Sequence, residues 1–523
     1  VNIEINEGFQ QVYDALEKGE NVFLTGRAGT GKSTFLRYFL EQTQKHCVVL
    51  APTGVAALNV EGQTIHSFYG IFPAHTLEDI PEILKRKGDR LYEVLSHLDM
   101  IIIDEISMVR ADLLDMVDTL TRRVFADFGG KKTKYRQTLP FGGIQLFFIG
   151  DLYQLPPVVT SREKEIFSSL YESPYFFSAR CYSQLNMKLY ELEKVYRQKD
   201  TLFIGILNRI RNGTVTDEDI ALLNKRVNPG FTPQEKQYVY LTTHNDIVDE
   251  INQSELEKLP GKKHVYEGLI EGDFPQKDIP TDEVLTLKKG AQVMFLVNHP
   301  WGLWVNGSIG RVIFCREEVV TVELEDGTEV DVEPYTWVNY HYEIEGKTVK
   351  KKAMGKFTQL PLRLAWGITI HKSQGKTFSH VFLDMGRGAF ATGQTYVALS
   401  RVTSLEGLVL KHPIKKSHVK IDWHIIRFMT GTKYAQAHTL QSLETKREIL
   451  LQAIRTQSTL EIVYLKSDDT KSVRKILPRW MGEMEYHNKS FEGLRALCFQ
   501  TNEERTFRVD RILEVHILSE EKK

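Results

Sequence analysis

Residues 21–34, NVFLTGRAGTGKST, constrain this chain more than any other stretch. The apolar run Val22, Phe23 and Leu24 reads as a buried strand, and TFLRYFLEQT after the glycines reads as a helix. Between them Gly26, Gly31, Lys32 and Ser33 fill every fixed position of G-x-x-x-x-G-K-[ST], with Gly29 and Thr30 inside the loop and Thr34 after it. Glycines let backbone N–H groups turn inward around phosphate oxygens, and a helix N-terminus adds partial positive charge. Lys32 then reaches the β- and γ-phosphates, and the Ser33 hydroxyl can ligand Mg²⁺. A strand, such a loop and a helix in that order point to an α/β fold and a nucleoside triphosphate site.

Further anchors follow along the chain. Met100, Ile101, Ile102 and Ile103 read as a strand ending in two carboxylates. Asp104 is placed to hold the Mg²⁺ that bridges the phosphates, and Glu105 to orient and deprotonate the attacking water. A third apolar strand, QLFFI, delivers GDLYQLPP, where Gln154 can sense the γ-phosphate and pass its state to a neighbouring domain. Upstream of the loop, Gln10 or Gln11 on the helical stretch EGFQQVYDALEKG can read both edges of adenine. The strand CVVLA empties into Pro52, Thr53 and Gly54, whose N–H groups and hydroxyl suit a polyanion backbone. His66, Ser67, Phe68 and Tyr69 then read as a loop whose aromatics suit stacking on unpaired bases.

Past residue 186 a second α/β pattern begins, with YVYL leading to Thr242, Thr243, His244 and Asn245. Alternating strands at 286–356 suit a small inserted barrel. The α/β pattern resumes at LRLAWGITIHKSQG and continues to GQTYVALSR, where Arg401 sits in a helix-like stretch suited to an arginine finger. Residues 431–444 read as a linker, and 445–523 as a separate α+β module.

Composition narrows the class. At 523 residues, 42% hydrophobic and 26% charged, the chain is an ordinary globular sequence long enough for three or more domains. It holds no apolar run long enough to span a membrane, and VNIEINEGFQ carries neither a basic start nor an apolar signal core. Val1 in place of Met reads as a trimmed start. The four cysteines are scattered, which argues against zinc and a disulfide framework and suits a reducing cytoplasm. A net charge of −1 gives no basic signature, yet a motor needs only a basic channel.

GRAGTGKS, APTGVAA, TIHSF, IIIDEIS, GDLYQLPPV, YRQ, HKSQG and YVALSRV stand in the order of superfamily-one helicases. Over roughly 1–430 the chain resembles the Pif-one (petite integration frequency) DNA helicases, relatives of RecD. That resemblance implies two RecA-like domains, 1–185 (with a small insertion near 60–75) and 186–285 plus 357–430, and an inserted SH3-like barrel at 286–356. It implies ATP between them with Mg²⁺, single-stranded DNA and its duplex junctions as partners, 5′→3′ translocation, and unwinding of forks, RNA–DNA hybrids and G-quadruplexes in genome maintenance. Carried over by residue, Lys32, Asp104, Glu105, Gln154, Arg197 and Arg401 would be catalytic. Gln10, Gly26, Gly29, Thr30, Gly31, Ser33, Thr34, Gly375 and Gln394 would bind nucleotide, with Ser33 and Asp104 on the metal. Thr53, His66, His244 and His371 would line the DNA track, beside Pro52, Gly54, Ser67, Phe68, Thr243, Asn245, Lys372 and Ser373.

The C-terminal module resembles a WYL domain on the closing motif TFRVDRI, although Gly493, Leu494 and Arg495 replace the name-giving Trp-Tyr-Leu. It points to a bacterial, nucleoid-associated protein, and offers either an extra single-strand grip or a self-association surface on a monomer. Alternatives to the motor are an ATP-gated DNA-binding switch and the motor subunit of a larger recombination complex.

Overall fold

The computed structural model describes residues 6–518 apart from 73–74, 161–162, 197, 199, 233–236, 347, 387, 389–390, 467–470 and 487–488. The chain divides into two compact units: Val1–Arg211 with Val215–Lys420, and Asn212–Thr214 with Ile421–Lys523. Among the described residues no helix is long and apolar enough to cross a membrane.

The larger unit starts from a six-stranded parallel sheet in the order Gln63–Thr64, Cys47–Ala51, Met100–Ile103, Gln145–Ile149, Val22–Gly26, Lys188–Leu192. Its central strands are near-continuous apolar runs because helices cover both faces of a parallel sheet. One such helix, Lys32–Gln42, buries Phe35, Leu36 and Phe39 against Val22, Leu24 and Phe147. Parallel strands bring their carboxyl ends to one rim, so Gly26, Asp104 and Gly150 emerge side by side.

Three expectations change here. Lys188–Leu192 pairs with Val22–Gly26 in this first sheet, so a second domain does not begin at 186. A short apolar strand carries no mark of which sheet it joins. The segment near 60–75 is no separate lobe: it supplies the edge strand Gln63–Thr64 and the helix Ile65–Tyr69. That helix was expected as a loop, and it forms because the Thr64 hydroxyl accepts the Ser67 N–H at 3.1 Å.

A second parallel sheet orders Gly367–Thr369, Val239–Thr242, Val381–Asp384 and Leu408–Leu410. The excursion between its first and second strands in the chain builds a five-stranded antiparallel sheet: Glu329–Val332, Val320–Leu324, Ile309–Cys315, Gln292–Phe295 and Leu362–Leu364. Leu285, Val293, Phe295, Val312 and Val322 fill its core.

The expected barrel at 286–356 covers only part of this arrangement. Residues 335–359 leave it as a hairpin, Tyr335–Glu345 paired with Thr348–Gln359, which takes Leu269–Gly272 as a third strand. The hairpin reaches the first sheet through Tyr342. The edge strand Gln63–Thr64 covers only Leu50 and Ala51 of its neighbour. The Tyr342 hydroxyl, buried, accepts the Val49 N–H at 2.8 Å and donates to the Val49 carbonyl at 3.3 Å. One phenol thus completes a sheet edge.

In the smaller unit, five antiparallel strands run in the order Glu503–Arg508, Lys489–Cys498, Lys471–Tyr486, Leu460–Leu465, Ile512–Ile517. Leu450 and Ala453 of the helix Leu443–Thr456 pack on Leu460, Ile462, Ile476 and Leu494. The stretch read as a linker with one helix holds the helix Trp423–Leu440, whose Ala437 joins Leu465 and Leu513 in a second small core. Its buried face carries Ile425, Met429, Lys433 and Ala437, and the lysine among them weakens the apolar period.

Tyr342→Phe is expected to lower the stability of the larger unit by about 1–2 kcal/mol, because it leaves two buried peptide groups without partners. Chemical denaturation of the full chain checks this, and an unchanged midpoint would show that Val49 does not depend on the hairpin.

Candidate nucleotide and nucleic-acid site

The phosphate loop leaves Val22–Gly26 and enters Lys32–Gln42 through Gly31, whose φ of 89° suits glycine. A Cβ at Gly31 would also stand 3.2 Å from the Phe9 ring. The loop borders an open cavity of about 670 Å³. Gly29, Thr30, Gly31, Lys32, Ser33, Thr34, Asp104, Glu105 and Gln154 line it from the first sheet, and Gly375, Thr377 and Arg401 from the second. Gly26 contributes through its carbonyl, which accepts the Lys32 ammonium at 2.8 Å, with the Arg27 carbonyl at 3.1 Å.

Asp104 caps its strand at 8% exposure, and Glu105 follows in a left-handed conformation, φ 52°. A non-glycine residue held there costs of order 1 kcal/mol, a strain that concentrates at functional sites. Burial raises both carboxyl groups above their usual range; the Asp104 charge adds to the effect at Glu105, and Lys32 opposes it at both. A carboxylate of raised proton affinity is a better proton acceptor for water.

Gln154 joins the two layers. Its amide N–H donates to Asp151 at 3.2 Å, and its carbonyl accepts from Gln374 of the second layer at 3.2 Å. Arg401 lies just past the helix Gln394–Leu399 and is fully buried. Its guanidinium donates to the carbonyls of Val397 at 2.8 Å and of Ser373 and Lys376 at 3.2 Å each, and to the Ser400 hydroxyl at 2.8 Å. Arg197 lies outside the described residues.

Besides Gly26, two expected nucleotide contacts are not in the cavity lining. Gln10 is exposed and donates to Asp14 one turn on, and Gln11 donates to Glu7 one turn back; the helix turns Phe9 toward the cavity instead. Gln394 is buried at the start of its helix, beside the Ala391 N–H. The lining residues absent from the expected set are Phe9, Ala28, Gly150, Tyr196 and Thr377. Phe9 read as one more apolar residue of its helix, and only its contact with Gly31 reveals it.

The expected DNA residues lie at carboxyl ends of strands in both parallel sheets. Pro52, Thr53 and Gly54 follow Cys47–Ala51; Thr243, His244 and Asn245 follow Val239–Thr242; His371, Lys372 and Ser373 follow Gly367–Thr369. Thr53, His244, Asn245, His371 and Lys372 are exposed, whereas Thr243 is half-buried with its hydroxyl 2.7 Å from the His244 ring. Gly54 sits against Asp278, onto whose carboxylate any Cβ would fall. His66 is half-buried, and burial lowers its proton affinity. The Ser67 hydroxyl accepts from the Gln63 amide at 2.9 Å.

Two of these residues cannot meet a ligand as placed. Phe68 is 6% exposed and packs edge-on against Tyr69 and Tyr342, because its segment is a helix facing the core. Ser373 is fully buried and donates to the Ile370 carbonyl. No base can stack on that phenylalanine without the helix moving.

A family profile described as PIF1-like helicase matches residues 1–221, and one described as WYL domain matches 446–517. The ATP-dependent DNA helicase Pif1 of Bdellovibrio bacteriovorus is 32% identical over 414 residues, covering 78% of this chain and 88% of that protein. The chain belongs to the PIF1-like helicase family. The ATP-dependent DNA helicase PIF1 of Danio rerio is 37% identical over 409 residues, 76% of this chain; the chain spans only 59% of that longer relative. Crystalline Bacteroides Pif1 in complex with ADP-AlF4 superposes with a TM-score of 0.75 at 37% identity, covering 83% of this chain and 98% of the other. The same relative bound to ssDNA matches with a TM-score of 0.57 at 38% identity, covering 82% and 96%. The fold is therefore that of the PIF1-like helicases, two RecA-like layers around a nucleotide cavity, with a WYL domain at the C-terminus.

Glu105→Gln is expected to cut ATP turnover by about a hundredfold or more, the usual worth of a positioned general base, with nucleotide affinity kept within a few-fold. Turnover near that of the parent chain in a steady-state phosphate-release assay would remove Glu105 from this role.

Proposed function

We propose that this chain is an ATP-driven motor that moves 5′→3′ along single-stranded DNA and opens duplexes at their junctions. The supporting observation is that one cavity is lined from both parallel layers, while other strand ends of the same layers carry exposed Thr53, His244 and His371. A nucleotide held there ties the layers together, and its hydrolysis frees them. Bacteroides Pif1 matches less well in its ssDNA-bound form than with ADP-AlF4, which fits layers that re-orient on DNA.

Within the cavity, Lys32 exchanges the carbonyls of Gly26 and Arg27 for phosphate oxygens. Glu105 orients a water and takes its proton as the water oxygen bonds to the γ-phosphorus and the bond to the leaving oxygen breaks. Arg401, and Arg197 by family resemblance, offset the negative charge that develops on the phosphoryl oxygens. The Ser33 hydroxyl and Asp104 carboxylate fit Mg²⁺ in kind, as hard oxygen donors on one cavity wall. Such an ion would supply charge neutralisation across the phosphates.

Forks, RNA–DNA hybrids and G-quadruplexes are the substrates that the family reading adds; the chain itself is read as a monomer, with self-association through DNA or the WYL domain as the alternative. A fluorescent duplex bearing either a 5′ or a 3′ single-stranded tail, incubated with ATP and Mg²⁺, checks the proposal. Opening of the 5′-tailed duplex alone is expected. Opening of the 3′-tailed duplex reverses the direction, and DNA-stimulated hydrolysis with neither duplex opened would leave an ATP-gated clamp.

A further inference from the structure

The helix Gln394–Leu399 belongs to the second layer and is buried along its whole length. From it the Tyr396 hydroxyl, on a side chain 4% exposed, accepts the Ala28 backbone N–H at 3.0 Å. Ala28 is part of the phosphate loop, so a side chain of one layer holds the nucleotide loop of the other. Burial, with Asp151 nearby, pushes this phenol up to about 12, which keeps its proton in place at neutral pH.

Near this phenol lies a buried group of charges. Arg211, 4% exposed, stands 3.4 Å from Asp151 and 3.4 Å from Glu191, and stacks 4.0 Å from the centre of the Tyr153 ring. Asp151 in turn accepts from the Gln154 amide. Arg211 is thereby tied to Asp151 and Glu191, at strand ends of the first sheet.

The same helix has a second tether. Arg401 grips its Val397 carbonyl and, through its other arm, the carbonyls of Ser373 and Lys376. Those two residues belong to the turn that presents His371 and Lys372 to solvent. Three segments that are far apart in the chain, the 371–376 turn, the 394–399 helix and the phosphate loop, are thus joined by two buried side chains. Hydrogen bonds in so low a dielectric are stiff, and packed elements shift as bodies.

We infer that Tyr396 is a positioning residue which couples the 371–376 turn to the phosphate loop, so that single-stranded DNA seated on the turn sets the loop for ATP hydrolysis. The inference rests on the motor reading above. The movement runs from the turn through Arg401 to the helix, and from the Tyr396 hydroxyl to Ala28. No group is transferred along it.

Tyr396→Phe keeps the ring and removes only the hydroxyl. The measurement is ATP turnover at saturating ATP with and without an oligothymidylate, and the readout is the ratio of the two rates. A fall in that ratio of about five-fold, the weight of one hydrogen bond, is expected for the variant. A structural role would slow both rates in proportion and leave the ratio alone; that outcome, or no change at all, overturns the inference while the motor reading stands. A parent chain whose turnover ignores the oligothymidylate overturns both.

Discussion

Lys32 and Arg401 stand on different sheets yet line one cavity, and the rest of the larger unit is arranged to keep both there. Phosphate is a multivalent anion, and positive charge placed on two sides of it holds those sides together, the more strongly the less water lies between them. The protein supplies little covalent chemistry of its own. What it supplies is position: a phosphate loop carrying Lys32, two carboxylates at a strand end, and a buried guanidinium opposite. Gln154 and Gln374, 3.2 Å apart, span the same divide without charge.

Such a site is costly to fold. Asp104, Asp151, Arg211 and Arg401 are all below a tenth exposed, and Glu105 is held in a strained backbone conformation. Buried ions are tolerated only when hydrogen bonds and counter-charges surround them. Arg211 has two carboxylates and a phenol ring around it, although its Nε is left without a hydrogen bond among the described residues, and Arg401 has backbone carbonyls. The cost is offset by the apolar sheet cores on either side, where Phe35, Phe39, Phe147 and their neighbours pack ring against ring. A site assembled this way is preorganised in each layer and variable between them.

Much of this was legible in the sequence because the phosphate loop, the Asp104–Glu105 strand end and the Gln154 turn are local patterns of strand, turn and polar residue. Their roles depend on neighbours within a few positions. What the sequence hid depends on partners far away. Lys188–Leu192 reads as a strand, but only the Val22–Gly26 backbone decides its sheet. Phe68 and Gln10 were misread because aromatic and amide side chains carry no label for the side of a helix on which they fall. The hairpin at 335–359 alternates as a barrel strand would, and its separate path follows from Tyr342 reaching Val49, nearly three hundred positions away. Tyr396 and Ala28 are likewise distant in the chain, and no periodicity connects them.

Fluorophores attached at the exposed positions Glu7 of the first layer and Lys225 of the second would report the distance between the layers directly. A nucleotide that binds both walls of the cavity should shorten that distance when ADP and aluminium fluoride are added together, and ADP alone should restore it. Equal distances in all nucleotide states would mean that the cavity is not what moves one layer against the other, and the account built on it would fail.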